Sequence, residues 1–148
     1  MSSITLRFLV EPCDIGPGGR VHGGTVMKWI GEAGYACATR WAGQPCHTVY
    51  TSSVRYRRSI KPDALVEVQA RLAFTGDTNM NIAVELRSGD LVSGKLEPVT
   101  ECMTVYIALD EDGRPITVDN WTPETPGEMA LAKTARAQFD NTTPAPLE

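Results

Sequence analysis

Val21-His22-Gly23-Gly24-Thr25-Val26-Met27-Lys28-Trp29-Ile30-Gly31-Glu32-Ala33-Gly34-Tyr35-Ala36 decides how this chain is read. A glycine pair opens a long apolar run. Val26, Ile30, Ala33, Cys37 and Trp41 recur at helical spacing, which predicts a helix over residues 24–41. Met27, Trp29, Gly34, Tyr35, Ala36 and Ala38 are apolar too, so this helix is expected to be buried on nearly every side. Its first turn offers unpaired backbone N–H groups and the positive end of the helix dipole. Such a terminus can hold a carbonyl oxygen or an anion.

Outward from this helix the pattern changes period. Ile4, Leu6, Phe8 and Val10 alternate before it, which predicts a short strand over residues 4–10 and a Pro- and Gly-rich loop over 11–24. After it, strands are expected over residues 46–58, 64–75, 78–88 and 97–109. In the second of these Val66, Val68, Ala70, Leu72 and Phe74 share one face. In the third, Met80, Ile82, Val84 and Leu86 do, with Asn79, Asn81, Glu85 and Arg87 opposite. The last is apolar on one face and mildly polar on the other, as a central strand would be. Gly76-Asp77 reads as a hairpin turn. Short connections between alternating strands imply an antiparallel sheet. With a single long helix to cover the apolar faces, the expectation is an α+β fold in which a curved antiparallel sheet of about five strands wraps around one central helix. Its bare edges and apolar surface favour self-association.

The 148 residues suffice for one domain, expected over residues 1–121. A C-terminal extension follows over 122–148, with a short helix near 127–138 and then a mobile tail. Apolar residues make up 42% and charged residues 22%, an ordinary globular composition. A net charge of −4 argues against a general nucleic-acid binder, and no apolar run is long enough to span a membrane. No signal peptide is visible, and the four cysteines at 13, 37, 46 and 102 form no metal-binding spacing. They read as reduced thiols of a cytoplasmic protein.

The stretch Val21–Ala38 resembles the central-helix motif of the hotdog-fold acyl-CoA thioesterases. Weaker similarities continue over about residues 8–121: Val54-Arg55-Tyr56-Arg57-Arg58-Ser59-Ile60, where the family has an aromatic residue at 56 and proline at 59; Asp63-Ala64, where it has Gly-Asp; Thr75-Gly76-Asp77-Thr78-Asn79-Met80; and Ala108-Leu109-Asp110-Glu111-Asp112-Gly113-Arg114-Pro115. The resemblance implies the hotdog fold, acyl-CoA as substrate, a homo-oligomer (dimer, tetramer or hexamer), and no metal or redox cofactor. Two positions depart from the family's pattern. Its helix acid falls at Gly31, and its loop asparagine falls near Gly16.

Thioester hydrolysis needs an activated water and donors for the developing oxyanion. Backbone N–H groups at Gly23, Gly24 and Thr25 suit the second task, and glycine there admits close approach. Glu32 is the one carboxylate inside the helix, a candidate base or simply the partner of Lys28 four residues earlier. His22 is a candidate for orienting water or the carbonyl, or for bonding to its own loop. Thr51 and Ser53 offer strand hydroxyls. Arg58, in a basic cluster with Arg55, Arg57 and Lys61, is a candidate for the phosphates of coenzyme A. The resemblance adds Thr78 and Asn79 as contacts for the pantetheine arm. The competing reading is a catalytically impaired acyl-CoA-binding protein, or an inactive partner subunit without the usual helix carboxylate.

Overall fold

The computed structural model describes residues 2–142, without the side chains of Ser53 and of residues 139–142. The elements are β1 (Ser3–Leu9), a 3-10 turn (Pro12–Asp14), α1 (Gly23–Ala42), β2 (Cys46–Tyr56), β3 (Leu65–Thr75), β4 (Asn79–Gly89), β5 (Leu96–Ala108) and α2 (Pro126–Thr142). The expected mobile end lies largely outside the described residues. The five strands form one antiparallel sheet in the order β1-β3-β4-β5-β2. Only β3–β4 and β4–β5 are joined to their spatial neighbours. β1 and β2 take the two edges, and the chain crosses the sheet from β2 to β3.

The sheet wraps around α1, which gives the α+β hotdog arrangement. Val66, Val68, Ala70 and Leu72 of β3 and Met80, Ile82, Val84 and Leu86 of β4 are buried in one core with Val26, Trp29, Ile30, Ala33, Cys37 and Ala38 of α1. Phe8 of β1 meets Trp29 edge to face, ring centroids 4.8 Å apart. Gly43, in the left-handed conformation at φ 66°, ends the helix and its N–H donates to the Thr39 carbonyl.

Three sequence expectations are corrected. First, α1 is not buried all round: Gly24, Lys28, Gly31, Glu32 and Tyr35 form an exposed stripe. Their spacing of three and four residues keeps them on one face, away from the sheet. Second, Phe74 does not continue the core face of β3. A bulge between Leu72 and Phe74 leaves Ala73 unpaired and turns Phe74 outward. It there packs with Ala73, Met103, Leu131 and Ala135, and Arg136 lies 5.7 Å over its ring. Third, α1 is not the sole cover of the sheet, because α2 lies on the outer face and seals this second, smaller cluster.

Candidate functional site

His22 is the N-cap of α1. Its extended backbone (φ −66°, ψ 139°) turns the chain into the helix, and its carbonyl accepts from the N–H groups of Thr25 and Val26. The Gly24 N–H donates to His22 Nδ1 at 3.0 Å. That bond leaves the proton of a neutral imidazole on Nε2. It also explains the second glycine: a Cβ at position 24 would stand 3.1 Å from Nδ1 and 3.3 Å from Cε1 of His22. The turn before the helix is tied down on both sides. The His22 N–H donates to the Asp14 carbonyl and the Val21 N–H to the Ile60 carbonyl. Gly16 packs against the imidazole, where an added Cβ would meet His22 Cβ and Cδ2 at 3.5 Å. The Tyr56 hydroxyl, from the far end of β2, donates to the Gly23 carbonyl at 3.5 Å. His22, Gly23, Gly24 and Tyr56 are thus gathered at one exposed helix end.

From there the helix-facing row of β2 and β5 runs along α1. Thr51 pairs with Thr104 through their hydroxyls at 3.3 Å. Two irregularities in β2, between Thr48 and Tyr50 and between Ser52 and Arg55, carry both Thr51 and Tyr56 to this face. The side chain of Ser53, a sequence candidate, falls within the second irregularity and outside the described side chains. The Tyr106 hydroxyl donates to the Gly31 carbonyl at 3.3 Å. Burial pushes its pKa up to about 12, and pushes the thiols of Cys37 and Cys102 up to about 11. These thiols are held neutral and unreactive.

Glu32 lies on the exposed stripe, 3.9 Å from Lys28. Eight residues separate it from Gly24, about 12 Å along the axis at the helical rise. One chain therefore does not bring Glu32 to the N-terminal end of its own helix. Beside it, Gly31 faces open space: a Cβ there would meet nothing within 4 Å.

Next to the helix end is an open cleft of about 740 Å³ between the β2–β3 loop and the β4–β5 hairpin. Arg20, Arg58, Lys61 and Lys95 give it a basic lining, with Asp63, Asp90 and Glu97 as its acids. Arg20 is two residues from His22, and Arg58 two from Tyr56, so cleft and helix end are continuous along both strands of chain. The basic cluster expected from sequence is dispersed by pairing with β5. Arg57 is bonded to Glu101, and Arg58 to Glu97 at 2.7 Å, while Arg55 faces the outer side of the sheet. Thr78 and Asn79 lie at the opposite pole, about 33 Å away along the rise of β4. There the Asn79 carbonyl accepts from the Gly76 N–H and its side-chain oxygen from Asn81 Nδ2.

Comparison with known proteins adds a decisive observation. The profile of the thioesterase superfamily matches residues 18–95, more than half of the chain and the whole of the helix end. The chain belongs to the thioesterase superfamily. It is 28% identical over 140 residues to a cytosolic acyl coenzyme A thioester hydrolase of Rattus norvegicus, covering 93% of this chain. This chain spans 37% of the length of that rat protein. It is 26% identical to the uncharacterized acyl-CoA thioester hydrolase YkhA of Bacillus subtilis, covering 90% of this chain and 78% of that one. Among solved structures it is similar to an apo-hexameric acyl-CoA thioesterase, with 29% identity, a TM-score of 0.89, and 94% and 89% of the two chains covered. It is similar too to an acyl-CoA hydrolase of Staphylococcus aureus in complex with butyryl coenzyme A and coenzyme A, with 26% identity, a TM-score of 0.87, and 94% and 85% covered.

Within this thioesterase-superfamily chain, sequence reasoning missed two residues of the site. Tyr56 stood in a quoted motif as its aromatic residue, and its hydroxyl was the available signal. Tyr106 gave none, because only its register opposite Thr48 aims it at α1. Asp63 adopts φ 61°, the left-handed conformation that favours glycine, at the place where the resemblance implies one. No helix among the described residues is long and apolar enough to cross a membrane.

Proposed function

We propose that this protein hydrolyses acyl-CoA thioesters to a carboxylic acid and free coenzyme A, in the cytoplasm and as a homo-oligomer. The observation that carries this reading is the end of α1, where an imidazole, two glycines and a tyrosine hydroxyl converge beside a basic cleft. Water oxygen bonds to the thioester carbon, the C–S bond breaks, and the water's second proton passes to the departing sulfur. No metal or redox cofactor is required. Because Nδ1 of His22 accepts from Gly24, the donor offered to the thioester carbonyl is Nε2–H of His22, with the helix dipole behind it. The cleft receives the phosphates of coenzyme A through Arg20, Arg58 and Lys61.

The general base is Glu32 of a second copy. Within one chain the carboxylate is nearly three turns from His22, whereas two α1 helices packed antiparallel through their exposed stripes bring position 32 of each to the N-terminus of the other. A second reading has its own observation. Gly31 and Gly16 carry no side chain, and both border open space or the imidazole. The protein then binds acyl-CoA without turning it over.

Chromatographic release of coenzyme A from short-, medium- and long-chain acyl-CoAs decides between them. Turnover that Glu32→Gln abolishes while binding persists supports hydrolysis through Glu32. Full activity in that variant removes Glu32 from the mechanism. If wild-type is silent, Gly31→Asp tests the second reading: the space at Gly31 accepts the side chain, and gained turnover marks a site intact except for its acid.

A further inference from the structure

The outer face of the sheet, opposite α1, carries a cavity of about 300 Å³ roofed by α2. Its origin is a wedge. Ala135 of α2 is drawn down onto Ala73 of the β3 bulge, both fully buried. Leu131, Thr134 and Gln138 of the same helix line the space that remains, above Ala83 and Met103 of the sheet. The volume lies at the lower end of the range for small-molecule sites.

Its charges are unevenly satisfied. Four ionised side chains border it: Arg55, Arg71, Glu85 and Glu101. Glu85 is bonded to Arg87 at 2.8 Å, and Glu101 to Arg57, and both of those arginines lie outside the cavity. Arg55 and Arg71 make no ion pair among the described residues. Glu128 of α2 lies within electrostatic reach of Arg71, but its carboxylate is already accepting from the N–H groups of Glu124 and Thr125. The cavity thus presents at its rim two guanidinium groups without an ion-pair partner among the described residues, and an apolar lining of Ala83 and Met103 in the floor and Leu131 in the roof.

From this pairing we infer a second ligand site, for a small amphiphilic carboxylate. The guanidinium fork matches a carboxylate in two-bond geometry, and the floor takes a short hydrocarbon tail. The site does not rest on the hydrolysis proposed above, because it lies on the other side of the sheet from His22 and Glu32.

Methyl-13C-methionine NMR separates the two sites, with Met103 in the cavity floor and Met27 on α1. Titration of wild-type protein with hexanoate is expected to shift the Met103 methyl resonance saturably. Arg55→Gln and Arg71→Gln are each expected to weaken that response about tenfold, the loss of a charge-assisted bond. Both side chains are exposed, so the variants keep the fold. 1-Hexanol, which has the tail without the charge, and inorganic phosphate, which has the charge without the tail, are expected to leave Met103 in place. The inference is overturned if hexanoate moves only Met27, if both arginine variants respond like wild-type, or if phosphate saturates Met103 as well as hexanoate does.

Discussion

Gly31 and Gly34 are three residues apart on one helix, about 60° apart around its axis, yet they meet different surroundings. A Cβ at Gly34 would stand 2.4 Å from the Tyr106 hydroxyl oxygen and 3.1 Å from its ring carbons. A Cβ at Gly31 would touch nothing within 4 Å. The first glycine exists so that a tyrosine of β5 can reach the helix backbone. The second sits on the exposed stripe with Lys28, Glu32 and Tyr35, where no contact among the described residues requires it. Since mid-helix glycine costs about 1 kcal/mol against alanine, the fold explains the expense at 34 and leaves it unexplained at 31. The difference separates a dry side of α1, which makes the core, from an open side, which is free for substrate or for a second chain.

Gly34→Ala breaks the dry side outright and carries the largest expected effect. Overpacking costs 1–3 kcal/mol in general, and backbone-adjacent overlap with a buried tyrosine belongs near about 3 kcal/mol. Chemical denaturation measures it. Tyr106→Phe added to Gly34→Ala is expected to recover part of the loss, because it removes the nearest clashing atom. Additive losses in the double variant would show that the helix shifts instead of the tyrosine.

The same dry side sets a limit in alkali. The thiols of Cys37 and Cys102 are raised by burial from 9.0 to about 11. Their neutral forms are favoured in the folded state, so the stabilisation is complete below pH 9 and is lost as pH rises through about 11. Two pH units correspond to nearly 3 kcal/mol by linkage, and solvent entry reduces the expected loss to about 2 kcal/mol per thiol. Unfolding free energy measured from pH 8 to 11 is expected to fall, and Cys37→Ala is expected to flatten the decline. An unchanged slope in that variant would place the titration elsewhere.

The contrast between the two glycines also marks how far the sequence could be read. Period-two and period-3.6 patterns placed α1, β1, β3, β4 and β5 within about two residues, because burial on one face leaves a repeating trace, and β2 falls within two residues of the strand expected over 46–58. The bulge at Ala73 left no such trace. It arises from pairing between β3 and β4, and it sends Phe74 to the outer face although the alternation continues through it. The edge position of β2 depends on a long-range pairing with β5, which no local pattern encodes. At the candidate site, the resemblance and helix-end chemistry singled out His22 and the glycine pair, but two of the backbone donors expected to be free there are not: the Gly24 N–H donates to His22 Nδ1 and the Thr25 N–H to the His22 carbonyl. That Gly24 accommodates the imidazole was not legible, since it follows from a bond between neighbours whose geometry only the structure supplies. Gly31 and Gly34 are identical letters in the same apolar run, and only Tyr106 tells them apart.

Gly31→Ala sharpens the comparison with the smallest effect and the widest consequence. If the open side is free, alanine gains its helix propensity and nothing opposes it. Stability is then expected to rise by about 1 kcal/mol, an increase of roughly 2–4 °C in Tm for a chain of this size. The same exchange reads what covers the stripe. Should a second copy press its own α1 against Gly31, an added methyl would meet that helix, and the gain would turn into a loss that deepens with protein concentration. A gain independent of concentration means that the space at Gly31 stays open in the assembly, and that two α1 helices do not meet there. The proposal that Glu32 serves the neighbouring chain would then fail on geometry, before any assay of turnover.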